Sequence, residues 1–379
     1  MQFLHIADLH LGKRLNDVSL LEDQVKVLGQ LTDMAVTHRV DAVLIAGDIY
    51  QKASPQSEAM TVFNDFVTGL CEKGIRVFAI SGNHDSDQRI SYFSELLKKA
   101  DMYVSEKFTG VLQQITLQDE YGPVVISLLP FIRPAVVKRC FPEETVKTYQ
   151  DALLSVLAHS HVDPGVRNVL VAHQFMIGAE ISDSEEVSVG GLDQINAALL
   201  DDFDYVALGH LHKPQQAGRK TCRYAGSPLK YSFSEAHHQK SAVLVKLGAK
   251  GDVKMELLPI QQPHEMRLIH GTLSEVLAMP YSEDYVQVTL TDELVPPDAR
   301  VSISTVFPNM MGFGVSNSRT KEIRDVLAGD IVQDMSMESL FVDFYRLQNN
   351  DAMPPESHLK LLRYIMKEME EKHHEATEA

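Results

Sequence analysis

Apolar and polar positions follow two rhythms along the chain, and their order predicts a first half built from alternating strands and helices. Phe3 to Ile6, Val40 to Ala46 and Ile75 to Ile80 are short apolar runs. Runs of this length without polar alternation predict strands buried on both faces, as in a sheet covered by helices. Apolar residues recur at helical spacing over Leu20 to His38, Pro55 to Lys73 and Arg89 to Ala100. Strand–helix–strand order implies parallel pairing in this half. From Gly110 the rhythm is mixed, with strands expected at Val124 to Leu129, Val166 to Ala172 and Tyr205 to Leu208, and a helix at Thr145 to His159. Ser241 to Leu247 and Val253 to Pro259 read as a hairpin around Gly248 and Gly251. A strand at Tyr285 to Leu290 opens a smaller mixed region. Two amphipathic helices then follow, Glu338 to Leu347 and Pro355 to Glu371, separated by Asn349-Asn350-Asp351. In the second, Leu359, Leu362, Ile365, Met366 and Met369 share one stripe.

The fold class is therefore α/β. Three parts are expected: a first domain over 1–262, a small α+β domain over 263–334, and C-terminal helices over 335–379. The length of 379 residues, more than one average domain needs, agrees with a core plus an appendage. No run approaches the roughly 18 apolar residues of a membrane span. The apolar start from Met1 to Ala7 is too short for a signal peptide and lacks its positive flank. Cys71, Cys140 and Cys222 are scattered and odd in number, which argues against a disulfide framework and for a cytoplasmic protein.

A formal net charge of −17 argues against a free-standing nucleic-acid binder, because phosphate contacts need Lys and Arg. One stretch departs from that balance. Leu211 to Lys250 carries Lys213, Arg219, Lys220, Arg223, Lys230, Lys240, Lys246 and Lys250 against the single acid Glu235. Runs of this kind are usually solvated faces; here the run begins beside candidate metal ligands and is expected to border the substrate path.

Those candidates come in five segments, each placed just after an apolar run: Asp8-Leu9-His10, Gly47-Asp48, Gly82-Asn83-His84-Asp85, His173, and Gly209-His210-Leu211-His212. Open α/β sheets gather ligands beyond the carboxyl ends of their strands, where loops from separate strands meet. Glycines at 47, 82 and 209 allow the tight turns and close approaches this needs. Any one segment alone is a weak signal; five in this order are a strong one. Carboxylate, imidazole and amide oxygen together suit manganese, iron or zinc better than magnesium or calcium. The ligands are too many for one tetrahedral ion, and a shared carboxylate would bridge two ions about 3.5–4 Å apart.

The order D-x-H, G-D, G-N-H-D, H, G-H-x-H resembles the calcineurin-like metallophosphoesterase family, with no ligand missing. The resemblance is dense over about the first 240 residues, and "YAGSPLKYSFSE" narrows it to the DNA nucleases of that family. It implies a metallophosphoesterase β-sandwich with flanking helices, the small second domain acting as a cap. It also implies roles: Asp8, His10 and His212 on one ion, Asn83, His173 and His210 on the other, and Asp48 bridging. His84 would be unligated and face the scissile phosphate, with Asp85 as its orienting partner or as a local turn residue. Two Mn²⁺ ions are the implied cofactors. The implied activity is ATP-regulated double-strand exonuclease and single-strand endonuclease action on DNA ends and hairpins. The implied partner is a coiled-coil ATPase bound through the C-terminal helices, with a homodimer of this chain inside a heterotetramer. A stand-alone phosphodiesterase or phosphatase on small phosphoesters and a catalytically silent scaffold are the competing readings. ATP belongs to the partner, since no G-x-x-x-x-G-K-[ST] loop occurs here.

Other residues invite weaker readings. Arg89 and Arg133 are expected to be surface charges, and His5 a core histidine. Tyr231 and Phe233 either stack on nucleic acid or pack in an alternating strand. His237-His238 is more readily a solvated turn than a metal pair.

Overall fold

The computed structural model describes residues 1–180, 182–183, 185, 194–318, 337–348 and 352–364. Two six-stranded sheets dominate it. The first runs in the order β12-β11-β1-β2-β3-β4, built from β1 (Gln2–Ile6), β2 (Ala42–Ala46), β3 (Arg76–Ile80), β4 (Met102–Val104), β11 (Ser241–Leu247) and β12 (Val253–Pro259). Strands β1 to β4 are parallel, while β11 returns antiparallel to β1 and forms the expected hairpin with β12. The second runs β9-β10-β8-β7-β6-β5, from β5 (Gln113–Asp119), β6 (Gly122–Leu129), β7 (Arg167–His173), β8 (Tyr205–Gly209), β9 (Gln215–Ala217) and β10 (Arg219–Tyr224). Its central strands β6, β7, β8 and β10 are parallel.

Side-chain alternation along each strand divides the core into three layers. Phe3, Leu44, Ala46, Phe78 and Ile80 of the first sheet meet Ile126, Leu128, Val169, Val171 and Ala207 of the second. The opposite faces carry helices. Leu4, Val43, Ile45 and Val77 pack under α1 (Leu21–Thr37) and α2 (Ser57–Glu72), through Val27, Leu31, Phe63 and Leu70. Leu170, Val206 and Leu208 pack under α3 (Pro134–Cys140) and α4 (Tyr149–His159). Both faces of each central strand are thus buried, which is why the runs lack polar positions. Thr148 and Asp151 start α4 with a reciprocal capping box. The architecture is the expected β-sandwich flanked by helices.

Two expectations fail locally. Arg89 to Ala100 is not one helix but two short ones, Asp87–Ile90 and Ser94–Leu97, followed by a 3₁₀ turn. Phe93 breaks the segment with φ of 66°, and Tyr92, Phe93 and Leu96 are 68%, 60% and 58% exposed, so this apolar period has no core of its own to hold a helix. No strand carries Tyr231 and Phe233 either. Tyr231 is buried, its hydroxyl donating to the Leu9 carbonyl, and Phe233 begins a 3₁₀ turn to Glu235. The basic stretch is also less open than its composition suggests: Lys213, Arg219, Lys230, Lys240 and Lys250 pair with Glu180, Asp201, Glu265, Glu235 and Asp204.

The chain divides into two compact units. The first comprises Met1–Leu268, Ser282–Gln287 and Phe307–Gly312, and the second Ile269–Tyr281, Val288–Val306 and Phe313–Ala379. Past the sandwich, a three-stranded sheet joins β13 (Met266–Gly271), β14 (Tyr285–Leu290) and β15 (Met310–Val315) in that order. The second unit holds a helix at Met337–Gln348 and helical residues at 356–364, linked by Arg363 Nε donating to Glu338 Oε2 at 2.9 Å. Of the expected stripe, Leu359 and Leu362 fall here, while Ile365, Met366 and Met369 lie outside the described residues. Among the described residues no helix is long and apolar enough to cross a membrane.

Candidate metal centre

Each of the five segments leaves a strand at the same edge of the sandwich, and backbone hydrogen bonds fasten the loops together. Asp8 N–H donates to the Gly47 carbonyl (3.1 Å), His10 N–H to that of Asp48 (2.9 Å), and His210 N–H to the Asp8 carboxylate (2.9 Å). Asp8, His10, Asp48 and His210 all hold left-handed backbone, with φ of 54°, 43°, 49° and 104°. Such a conformation is uncommon outside glycine and clusters where side chains must be aimed against local preference. The loops also meet without room for side chains at two glycines. A Cβ on Gly82 would strike Asp48, and one on Gly209 would strike the Ala46 carbonyl.

All of the proposed ligands converge. His10 Nε2 and His212 Nε2 face each other at 3.1 Å. Asn83 Oδ1 lies 3.0 Å from His173 Nε2 and 3.0 Å from His210 Nδ1. Asp48 Oδ2 stands between the two groups, 3.6 Å from His10 Nε2 and 3.4 Å from His173 Nε2. His173 donates from Nδ1 to the Ala46 carbonyl at 2.7 Å, which turns Nε2 inward to Asn83 and Asp48. His84 is set slightly back, half-buried, with Nε2 4.0 Å from Asp48 Oδ2, its amide on Asp48 Oδ1 and Nδ1 3.2 Å from the Gln51 carbonyl.

The donor set fits divalent cations. Asp8 Oδ2 is buried without a hydrogen-bond partner among the described residues, an expensive state for a carboxylate oxygen unless it holds a cation. Asp8, His10 and His212 present ligand atoms within 4.8 Å of one another, and so do Asp8, Asp48 and His173. Titration behaviour follows the same logic. Burial pushes Asp8 up to about 7 against the pull of His173 and His212. Burial would raise Asp48 too, but His173, His10 and His84 hold it well below the usual carboxylate range. Burial alone would lower His173, yet Asp48 and Asp8 raise it to about 9. Burial drives His10 well below its ordinary value and, with His173 nearby, takes His210 to about 3, so both are neutral imidazoles with lone pairs to offer.

Of the two roles open to Asp85, ring orientation and local turn, the structure places it in the second. Its two carboxylate oxygens accept from the backbone amides of Ile49 (3.0 Å), Tyr50 (2.9 Å) and Gly82 (2.9 Å). The carboxylate staples the loop after β2 to the loop after β3, and the Gln51 carbonyl, not Asp85, meets the His84 ring. Burial and the charge of Asp48 push Asp85 up to about 7. His5 is a core histidine as expected, fully buried between the Tyr205 hydroxyl (2.8 Å) and the Leu208 carbonyl (3.2 Å).

Residues the motifs did not bring forward surround His212. Its Nδ1 lies 3.3 Å from Glu235 Oε1, its carbonyl accepts from Lys240 at 2.8 Å, and its amide donates to Glu185. Glu235 carried one sequence signal, being the lone acid among eight bases between Leu211 and Lys250.

Residues 1–214 match the calcineurin-like phosphoesterase family, and residues 262–349 match a family described as the type 5 capsule protein repressor C-terminal domain. The SbcD component of the SbcCD nuclease of Staphylococcus saprophyticus subsp. saprophyticus is 30% identical over 319 residues, which is 82% of this chain and 84% of that protein. Among solved structures, a dimetal phosphatase from Danio rerio is 11% identical with a TM-score of 0.41. The protein TT1561 of Thermus thermophilus is 14% identical with a TM-score of 0.38. Each of these two matches covers 69% of this chain and 99% of the other.

Proposed function

The chain belongs to the calcineurin-like phosphoesterases and, within them, to the SbcD nucleases; from that premise we propose that it cleaves DNA with two bound manganese ions, partnered by an SbcC-type coiled-coil ATPase. Membership makes it a metal-dependent phosphodiester hydrolase. The observation that carries the two-ion reading is the unpartnered Asp8 Oδ2 inside a ring of imidazole, carboxylate and amide donors.

In this reading Asp8, His10 and His212 would hold one ion and Asn83, His173 and His210 the other, with Asp48 shared between them. When bound, the ions supply Lewis acidity at the phosphoryl oxygens and a nucleophile at neutral pH. The remaining chemistry falls to His84. With Nδ1 held by the Gln51 carbonyl, its ring turns Nε2 toward the centre, where it would pass a proton to the leaving oxygen. Asp85 keeps the Asp48 and Asn83 loops in register and does not touch the substrate.

A cleft next to His84, lined by Gly12, Lys13, Arg14, Gln51, Lys52 and Ser54, gives a polyanionic strand a cationic bed. This feature favours DNA over a small ester. Tyr92, Phe93 and Leu96 supply exposed apolar area for a second copy of the chain, in keeping with a homodimer inside a heterotetramer. The C-terminal helices would dock the ATPase.

One assay tests the set. Labelled hairpin duplex is incubated with the chain and Mn²⁺, with and without the ATPase partner and ATP, beside a chromogenic phosphodiester. Cleavage of the hairpin that responds to partner and ATP is expected. Cleavage of the small ester alone would replace DNA as the substrate class, and no cleavage of either would leave a scaffold.

A further inference from the structure

Glu235 and Lys240 form an ion pair with both side chains fully buried, Nζ lying 2.5 Å from Oε2. Such a pair adds little net stability, since desolvating two charges offsets most of their attraction, and apolar residues of like volume do as well. Its other contacts are more telling. Glu235 Oε1 faces His212 Nδ1 at 3.3 Å and accepts from the Tyr231 amide at 3.2 Å. The remaining Lys240 bonds go to the His212 carbonyl and the Ser227 hydroxyl, each at 2.8 Å. One charge thus meets the ring of His212 and the other its backbone.

We propose that the Glu235–Lys240 pair is a built support for the metal centre, with Glu235 a positioning residue that sets the ring orientation and tautomer of His212. The inference rests on the two-ion reading above and adds a selective role within it. A carboxylate at Nδ1 keeps the proton on that nitrogen, so that Nε2 presents its lone pair beside His10 Nε2, 3.1 Å away, and Asp8. It also makes the imidazole a stronger donor than a neutral carbonyl would. At His173 and His84 the ring Nδ1 meets a backbone carbonyl, that of Ala46 at 2.7 Å and that of Gln51 at 3.2 Å, and the Asp8 carboxylate comes no nearer to His173 Nδ1 than 3.9 Å. The support therefore acts on the ion held by Asp8, His10 and His212, not on the ion held by Asn83, His173 and His210. Lys240 holds the carboxylate ionised and fixes the His212 main chain. Tyr231 and the turn Phe233–Glu235 deliver the acid from the segment "KYSFSE".

Calorimetric titration of Mn²⁺ into the metal-free full chain tests this, with Co²⁺ absorption spectra as a second readout. The double variant Glu235→Leu/Lys240→Met removes both charges without stranding either in the core. Expected are two ions in the wild type and, in this variant, one site weakened about 10–100-fold with the other unchanged and its Co²⁺ band altered. In Glu235→Gln/Lys240→Met the amide oxygen can still accept from Nδ1, so part of the loss is recovered. Glu235→Asp, which keeps both charges but withdraws the carboxylate, is expected to weaken the same site and serves if the double variants fail to fold. Two unchanged affinities, or a uniform fall of both sites with no recovery by Gln, would overturn the inference while leaving the two-ion reading in place. A wild type that binds fewer than two ions would remove both.

Discussion

Replacing Asp85 by alanine separates a staple from a catalyst. The side chain is 8% exposed, and its oxygens satisfy the amides of Ile49, Tyr50 and Gly82. Leaving a buried donor unpaired costs about 1–3 kcal/mol. Three amides sharing one carboxylate are not independent, and water can enter the small space left behind, so about 3–5 kcal/mol in total is a fair expectation. At roughly 2–4 °C per kcal/mol for a domain of this size, the melting temperature should fall by about 10 °C. The scan belongs in chelator, so that bound metal does not contribute to the difference. Asp85→Asn should fall between the two proteins, because its amide oxygen keeps one acceptor while its NH₂ confronts a backbone N–H. Mn²⁺ affinity should drop along with stability, since the staple aligns the loops that carry Asp48 and Asn83. A variant that melts like the wild type and binds Mn²⁺ normally, yet turns over slowly, would refute the staple and return Asp85 to direct work on His84.

Other outcomes follow from the same geometry. Asp48→Ala should lose both metal stoichiometry and turnover, whereas His84→Ala should keep both ions and lose about 10²–10⁴-fold in rate; metal analysis beside kinetics checks the pair, and equal metal loss in the two would undo the division of roles. Gly209→Ala should weaken Mn²⁺ binding and cost about 1–3 kcal/mol, as its Cβ meets the Ala46 carbonyl that also receives His173, measurable by calorimetry and denaturant unfolding. Asp119 is held below the usual carboxylate range by Arg167 and by the Met1 amino group, although partial burial opposes this. A depressed folded-state pKa means stability that is present above about pH 4 and lost as pH falls through the folded value. Asp119→Asn should therefore melt earlier at pH 7, leaving the 2%-exposed Arg167 short of its counter-charge, while its deficit against the wild type shrinks below pH 3; a deficit constant from pH 7 to pH 3 would refute the pairing.

What could be read in advance, and what could not, divides along a physical line. Strands such as Ala42–Ala46 and Arg76–Ile80 were legible because burial on both faces forbids polar side chains, and that constraint is written in consecutive residues. The ligand segments were legible because metal chemistry restricts residue type and the sheet restricts their place. Segment 89–100 misled because helical spacing records only that a face is apolar, not that this chain has anything to cover it; Tyr92 and Phe93 point to solvent and the helix breaks at Phe93. The left-handed backbone of Asp8, His10, Asp48 and His210 left no trace, since their residue types are fixed by ligation before conformation has a say. Asp85 and Glu235 mark the deeper limit. Adjacent to His84 in sequence, Asp85 turns to amides of the loop after β2 and of its own loop; 23 residues from His212, Glu235 reaches its ring. Proximity along the chain offered one carboxylate, Asp85, as a histidine's partner or as a turn residue, and it is the turn residue. Composition had already singled out the other, because an acid alone among eight bases is cheap to bury only where one of those bases is buried with it, as Lys240 is.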